Sequence, residues 1–194
     1  MPKNENPAGT SAVDTAASQP SPSGTNPQIE FESSKPGVTS SAEYSKPLGE
    51  AKQLAIDTDK GQIVVEVYPQ AMPQTVANFQ KLVDSKFYNG LNFHRVEDWV
   101  IQGGDPKGDG TGGPGWTIPL ENSPSQLKNV RGALAMARSQ DPNSAGSQFY
   151  ILKNDATTLD GQYAVFGKVV KGMEVVDKIQ KGDKMKTVAP YTGN

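Results

Sequence analysis

Few residues in this chain are able to do chemistry, and they cluster. His94 is the only histidine, and it stands directly before Arg95 in the run Phe93-His94-Arg95-Val96-Glu97-Asp98-Trp99-Val100-Ile101-Gln102-Gly103-Gly104-Asp105. The sequence has no cysteine, which removes disulfides, thiolate metal sites and cysteine nucleophiles together. One histidine cannot build a multi-histidine metal site, and no G-x-S-x-G accompanies it to make a serine hydrolase. Gly108-Asp109-Gly110-Thr111-Gly112-Gly113 has the letters G-x-G-x-x-G. No strand–helix–strand unit surrounds it, so it reads as a loop and not as a nucleotide cradle. Asp105 and Asp109 lack the further spaced oxygen ligands of a calcium loop. Strand alternation puts His94 on the face opposite Arg95, a structural position.

The elements that would hold these residues are mostly short strands. Leu54-Ala55-Ile56-Asp57-Thr58, the turn Asp59-Lys60-Gly61 and the β-branched run Gln62-Ile63-Val64-Val65-Glu66-Val67-Tyr68 read as a hairpin. Pro73 suits the first turn of a helix, where its missing N–H is not needed. Val76, Phe79, Leu82 and Val83 make the apolar stripe of that helix, which is expected to stop near Asn89-Gly90. Five further apolar runs follow, at residues 91–96, 99–102, 132–137, 148–152 and 163–170. A second helix is expected over residues 173–181, with Val175, Val176 and Ile179 inward and Gly182 beyond its end. Seven or eight short strands with one early and one late helix predict a mainly β fold: a closed eight-stranded antiparallel barrel capped by two α-helices. Irregular connections argue against a parallel α/β fold.

That domain is expected over residues 48–194. Residues 1–47 are rich in Ser, Thr, Pro, Asn, Gly and Ala and hold seven of the fifteen prolines, which predicts a disordered leader. Ile29-Glu30-Phe31 is its one candidate docking contact. The leader carries a formal charge of about −2 and the domain about zero. The absence of a basic excess argues against a nucleic-acid partner. No apolar run approaches the roughly 18 residues of a transmembrane span. The leader lacks the charged and apolar regions of a signal peptide. Such a leader on a cysteine-free domain fits an extracytoplasmic protein trimmed of its signal or anchor, with an extended cytoplasmic protein as the alternative.

Three segments, in order, resemble the cyclophilin family of peptidyl-prolyl cis–trans isomerases, its bacterial branch above all. They are the run around Arg95; Gly132-Ala133-Leu134-Ala135-Met136-Ala137-Arg138 continuing to Asn143-Ser144-Ala145-Gly146-Ser147-Gln148-Phe149-Tyr150-Ile151; and Leu159-Asp160-Gly161-Gln162-Tyr163-Ala164-Val165-Phe166-Gly167-Lys168-Val169. The resemblance covers residues 53–181. It implies an enzyme that isomerises X–Pro bonds in unfolded or flexible chains, assists folding and needs no cofactor or metal. It also implies proline-containing polypeptides as partners, and a monomer.

Amide resonance sets a rotation barrier of ~18–20 kcal/mol, so uncatalysed exchange takes on the order of tens to hundreds of seconds. The catalyst must stabilise a twisted amide whose nitrogen lone pair has become a hydrogen-bond acceptor. A guanidinium aimed at that nitrogen suits the task. The resemblance assigns this catalytic role to Arg95. It assigns the proline-ring pocket to Trp99, Val100, Tyr150 and Leu159, with Tyr163 on the rim. Gln102 and Gln148 would hold the arginine and the peptide, Gly110 and Thr111 would touch it from the glycine-rich wall, and Ala137, Arg138 and Ser139 would clamp its backbone. Alternation along the strand sends Phe149 to the core and Tyr150 to the groove.

The chain departs from the family at several of these places. The segment between Arg95 and Gln102 is one residue short, with Glu97-Asp98-Trp99-Val100 in place of a typical Phe-Met pair. Tyr150 stands for phenylalanine, Tyr163 for a common histidine, and Thr158 for an aromatic residue that helps bind cyclosporin. These changes predict isomerase activity with weak cyclosporin binding. Two other readings stay open at this level: a binding module of the same fold without turnover, and a scaffold whose leader is the working part.

Overall fold

The computed structural model describes residues 48–193. The leader and its Ile29-Glu30-Phe31 contact lie outside the described residues. Strands β1 (Lys52–Thr58) and β2 (Gly61–Val67) form the expected hairpin around Asp59-Lys60. The Thr58 hydroxyl closes the turn by donating to the Gly61 carbonyl at 2.7 Å while accepting the Lys60 N–H at 3.1 Å.

Helix α1 (Pro73–Asp84) buries Val76, Phe79, Leu82 and Val83, as its periodicity requires. Met72 offers its N-terminus no side-chain cap. The Glu121 carboxylate does so from afar, accepting the N–H groups of Gln74 at 3.2 Å and Thr75 at 2.7 Å. The helix stops earlier than expected. Lys86 turns left-handed at φ 58°, and the N–H groups of Lys86 and Phe87 donate back to the carbonyls of Val83 and Leu82, each at 2.9 Å. That pair of bonds is a Schellman motif without its usual glycine.

Four four-residue strands follow: β3 (Phe93–Val96), β4 (Val100–Gly103), β5 (Ala133–Met136) and β6 (Phe149–Leu152). After a 3₁₀ turn, Thr157–Leu159, come β7 (Val165–Lys171), a short α2 (Met173–Val176) and β8 (Met185–Pro190). Helix α2 is a single turn and does not reach Lys181. Its start is set by Gly172, at φ 91°, where a Cβ would sit 2.4 Å from the Gln62 carbonyl oxygen.

All pairings are antiparallel, in the order β3-β4-β6-β5-β7-β2-β1-β8. The expected closed barrel is therefore corrected: eight strands curl into an open half-barrel. The edge strands β3 and β8 share no ladder. They meet at one end through the bridge Asn92↔Lys184, where the loop before β8 exchanges backbone bonds with Phe93. Beyond Met185 the chain pairs with β1. The core gathers Phe79 of α1, Tyr88, Phe149 and Phe166, with Phe79 ring centroids 5.0–5.5 Å from the other three. Among the described residues no helix is long and apolar enough to cross a membrane.

Candidate active site

The hairpin of β3 and β4 carries the reactive cluster. Glu97 N–H donates to the Val100 carbonyl at 2.9 Å, so Asp98 and Trp99 make a two-residue turn. This tight turn accounts for the short spacing between Arg95 and Gln102. It is pinned from outside: Lys153 N–H donates to the Trp99 carbonyl at 2.8 Å, Lys153 Nζ to the Glu97 carbonyl at 3.2 Å and Asn154 Nδ2 to the Asp98 carbonyl at 3.1 Å.

Arg95 is cross-strand neighbour to Gln102. Its Nε donates to Glu97 Oε1 at 2.6 Å and its Nη1 to Gln102 Oε1 at 3.3 Å. Glu97 Oε2 accepts the Trp99 indole N–H at 2.7 Å, and the guanidinium carbon lies 5.2 Å from the Trp99 ring centroid. The hydrogen bond from Arg95 holds the Glu97 carboxyl below the usual carboxylate range, against the opposing pull of partial burial.

From Gln102 the network continues across the sheet. Gln102 Nε2 donates to Gln148 Oε1 at 2.9 Å. Gln148 Nε2 in turn donates to the carbonyls of Gly110 and Gly112, both at 2.9 Å. The glycine-rich wall is folded around Asp105, whose buried carboxylate accepts the N–H groups of Lys107, Asp109 and Gly110 at 2.8, 3.1 and 2.5 Å. Asp105 thus has a structural use. Gly104, at φ 86°, lets the chain leave β4 hard against Ser147, where a Cβ would stand 2.4 Å from the Ser147 carbonyl oxygen.

Arg95, Glu97, Gln102 and Gln148 border one cleft of about 1120 Å³. Of the residues singled out from the sequence, Arg95, Gln102, Gly110, Thr111, Ala137, Arg138, Ser139 and Gln148 stand around it. Trp99 is joined to them through Glu97. Val100, Tyr150, Leu159 and Tyr163 are buried side chains. Phe149 packs on Phe79 and Tyr88, while Tyr150 packs edge-on against Tyr163, their centroids 5.9 Å apart. The Tyr150 hydroxyl donates to Asn129 Oδ1 at 2.7 Å, and burial raises its pKa. Arg138 lies over the Tyr163 ring at 4.9 Å and donates to the carbonyls of Gln162 and Ser139 at 2.9 and 2.8 Å.

His94 departs from expectation. A bulge between Phe93 and Arg95 shifts the register, so His94 borders the same cleft as Arg95 and not the opposite side. Its ring is buried and its Nδ1 has no hydrogen-bond partner. Burial lowers its pKa, with the Asp105 charge opposing.

Three features of the cleft escaped the sequence reading. Glu97 was legible in principle, because an acid two residues from Arg95 is within reach of its guanidinium. Lys107 and Lys181 add positive charge to the rim. Trp116, 40% exposed, forms part of the far wall, with its indole N–H donating to Asn78 Oδ1 at 2.8 Å and Lys81 Nζ 4.1 Å above its ring. Among the described residues no group of three His, Cys, Asp or Glu side chains could hold a metal ion. The arrangement offers a fixed cationic donor and a chain of amides beside a peptide-sized cleft.

The comparisons with known proteins agree on the family. Residues 53–192 match the family described as Cyclophilin type peptidyl-prolyl cis-trans isomerase/CLD. The chain is 47% identical over 131 residues to peptidyl-prolyl cis-trans isomerase B of Bacillus subtilis, covering 67% of this chain and 91% of that protein. It is 43% identical over 144 residues to the peptidyl-prolyl cis-trans isomerase of a Helicobacter pylori strain, covering 73% and 88%. The fold is similar to that of a Cryptosporidium parvum cyclophilin type peptidyl-prolyl cis-trans isomerase crystallised in the presence of the dipeptide Ala-Pro. The TM-score there is 0.68 at 31% identity, over 73% of this chain and all of that one. With more than half its length matched by the family and close relatives covered almost end to end, the chain belongs to the cyclophilin-type peptidyl-prolyl cis–trans isomerases.

Proposed function

We propose that the cleft binds X–Pro segments of unfolded or flexible polypeptides and that Arg95 lowers the rotation barrier by donating a hydrogen bond to the proline nitrogen. The observation that carries this reading is the orientation of Arg95, held by Glu97 and Gln102 at the edge of the cleft. As the amide twists, its nitrogen leaves conjugation and becomes an acceptor. A cation fixed beforehand favours that form over both planar isomers without having to reorganise. A thousandfold acceleration needs about 4 kcal/mol of such preference. One charge-assisted bond in a partly dry site supplies a large part of it.

The relative crystallised with Ala-Pro supports the substrate class. The protein acts as a monomer in this reading, needs no cofactor and assists folding. The test is a proline-isomerisation assay on a Pro-containing tetrapeptide with the intact protein and Arg95→Ala. The substitution is expected to lower kcat/KM by roughly a hundredfold or more, with peptide affinity changed only a few-fold. Equal turnover by the two proteins would show that Arg95 has no catalytic part, and no turnover by the intact protein would leave a binding module.

A further inference from the structure

The turn that shortens this chain relative to its family also places a carboxylate where Arg95 and Trp99 can share it. Glu97 Oε1 takes the Arg95 Nε–H and Glu97 Oε2 takes the Trp99 indole N–H, at 2.6 and 2.7 Å. Both oxygens are thereby committed, one to each side chain. We infer that Glu97 is a positioning residue for catalysis, a two-pronged clamp that ties the Arg95 guanidinium, at the edge of the cleft, to the Trp99 ring. The inference rests on the isomerase reading above and names the residue that orients its donor.

Three observations carry it. Glu97 is the first residue past β3 and lies two residues from Arg95, so its carboxylate reaches the guanidinium within the same hairpin. Its own backbone is fixed by the Val100 carbonyl and by Lys153 Nζ, so the clamp stands on a rigid turn. The pair is only partly buried, with side-chain exposures of 21% for Arg95 and 39% for Glu97. Ion pairs this exposed contribute little to stability, and their use lies in direction. An arginine side chain has many rotamers, and a donor misplaced by about an ångström can cost a hundredfold in rate. Gln102, a neutral acceptor at 3.3 Å, is a weaker restraint than the Glu97 carboxylate.

The carboxylate form is essential to the geometry, because a side-chain amide has one acceptor oxygen for two donors. Glu97→Gln keeps the shape and must release either Arg95 or Trp99, whereas Glu97→Ala releases both. The experiment measures kcat and KM for a Pro-containing tetrapeptide in the full chain and both variants. Alongside, the two indole N–H signals of Trp99 and Trp116 are followed by ¹⁵N–¹H NMR. The expected result is a roughly tenfold or larger fall in kcat for Glu97→Gln with KM within about twofold. The Trp99 signal shifts, and that of Trp116, held by Asn78, stays. Should Glu97→Ala fail to fold, Glu97→Gln alone decides. Wild-type kcat in Glu97→Gln, a loss confined to KM, or an unmoved Trp99 signal would each overturn the inference. A wild type without turnover would sink the isomerase reading itself, and the Trp99 signal would then decide whether the clamp exists.

Discussion

The side-chain amide of Gln102, on β4, donates to the side-chain oxygen of Gln148, the residue before β6, at 2.9 Å. Gln102 also accepts from Arg95, and Gln148 also donates to two carbonyls of the glycine-rich wall. The two glutamines therefore tie the proposed catalytic donor to the opposite side of the cleft. An amide suits this place because it can accept and donate at once. A hydroxyl is too short and a carboxylate has no proton to give.

Gln148→Ala removes the centre of that relay. Gln102 Nε2 loses its acceptor, and the Gly110 and Gly112 carbonyls lose their donor. Both KM and kcat are expected to suffer, with kcat/KM down roughly tenfold, since each lost bond is worth about 1 kcal/mol. The proline-isomerisation assay checks this. A change confined to kcat would mean that the wall holds its place without Gln148.

Tyr150→Phe restores the residue typical of the family and is nevertheless expected to destabilise this protein. Tyr150 is fully buried, and its hydroxyl reaches Asn129 Oδ1 at 2.7 Å. Asn129 is itself buried and bound through its N–H and Nδ2 to Asp160. Phenylalanine would strand an acceptor away from water at a cost of about 1–3 kcal/mol. Urea unfolding of the two proteins measures it, and an unchanged midpoint would show that Asn129 finds another donor.

Much of this fold can be read from local pattern. The β1–β2 hairpin and the α1 stripe repeat with the periods of their elements, and both stand where those periods put them. Strand β8 does not alternate: Met185 and Val188 are its buried residues, three apart, so it gives no period-2 signal. Closure of the sheet depends on whether β3 and β8 share a register, which strand count does not fix. The same holds within the site. Arg95, Gln102 and Gln148 are marked by their motifs. The inward turn of His94 comes from a one-residue bulge that inverts the alternation on which its expected position relied. The Glu121 cap of α1 and the Asn78–Trp116 bond join residues 38 or more apart in the chain, beyond the reach of any local pattern.

His94 makes stability depend on pH. Its folded pKa is depressed, chiefly by burial, so the unfolded chain takes up the proton first as pH falls. Stability is fully present above the unfolded value, about 6.5, and is lost as pH drops from there through the lower folded value. One such group sets a slope of at most about 1.4 kcal/mol per pH unit. Urea midpoints between pH 8 and 5 are expected to fall more steeply in the wild type than in His94→Gln. Parallel curves would mean that His94 accepts a proton in the fold as easily as in the unfolded chain, with the Asp105 charge offsetting burial.

Cyclosporin is expected to bind weakly. Thr158, exposed in the 3₁₀ turn Thr157–Leu159, stands where the family often carries an aromatic residue that helps hold the drug. A threonine there offers less apolar area, and burial of such area drives binding of an apolar ligand. Tyr163, in place of a common histidine, is packed between Tyr150 and Arg138 and keeps its ring for that contact. Drug titration into the isomerisation assay should give half-inhibition in the micromolar range, and Thr158→Trp should tighten it. An aromatic ring buried against the drug is worth roughly 1.5–3 kcal/mol, which corresponds to about tenfold to a hundredfold in affinity. Nanomolar inhibition of the unmodified protein would contradict the argument from Thr158. A Thr158→Trp variant no tighter than the wild type would move the cause of weak binding to the altered Trp99-Val100 segment.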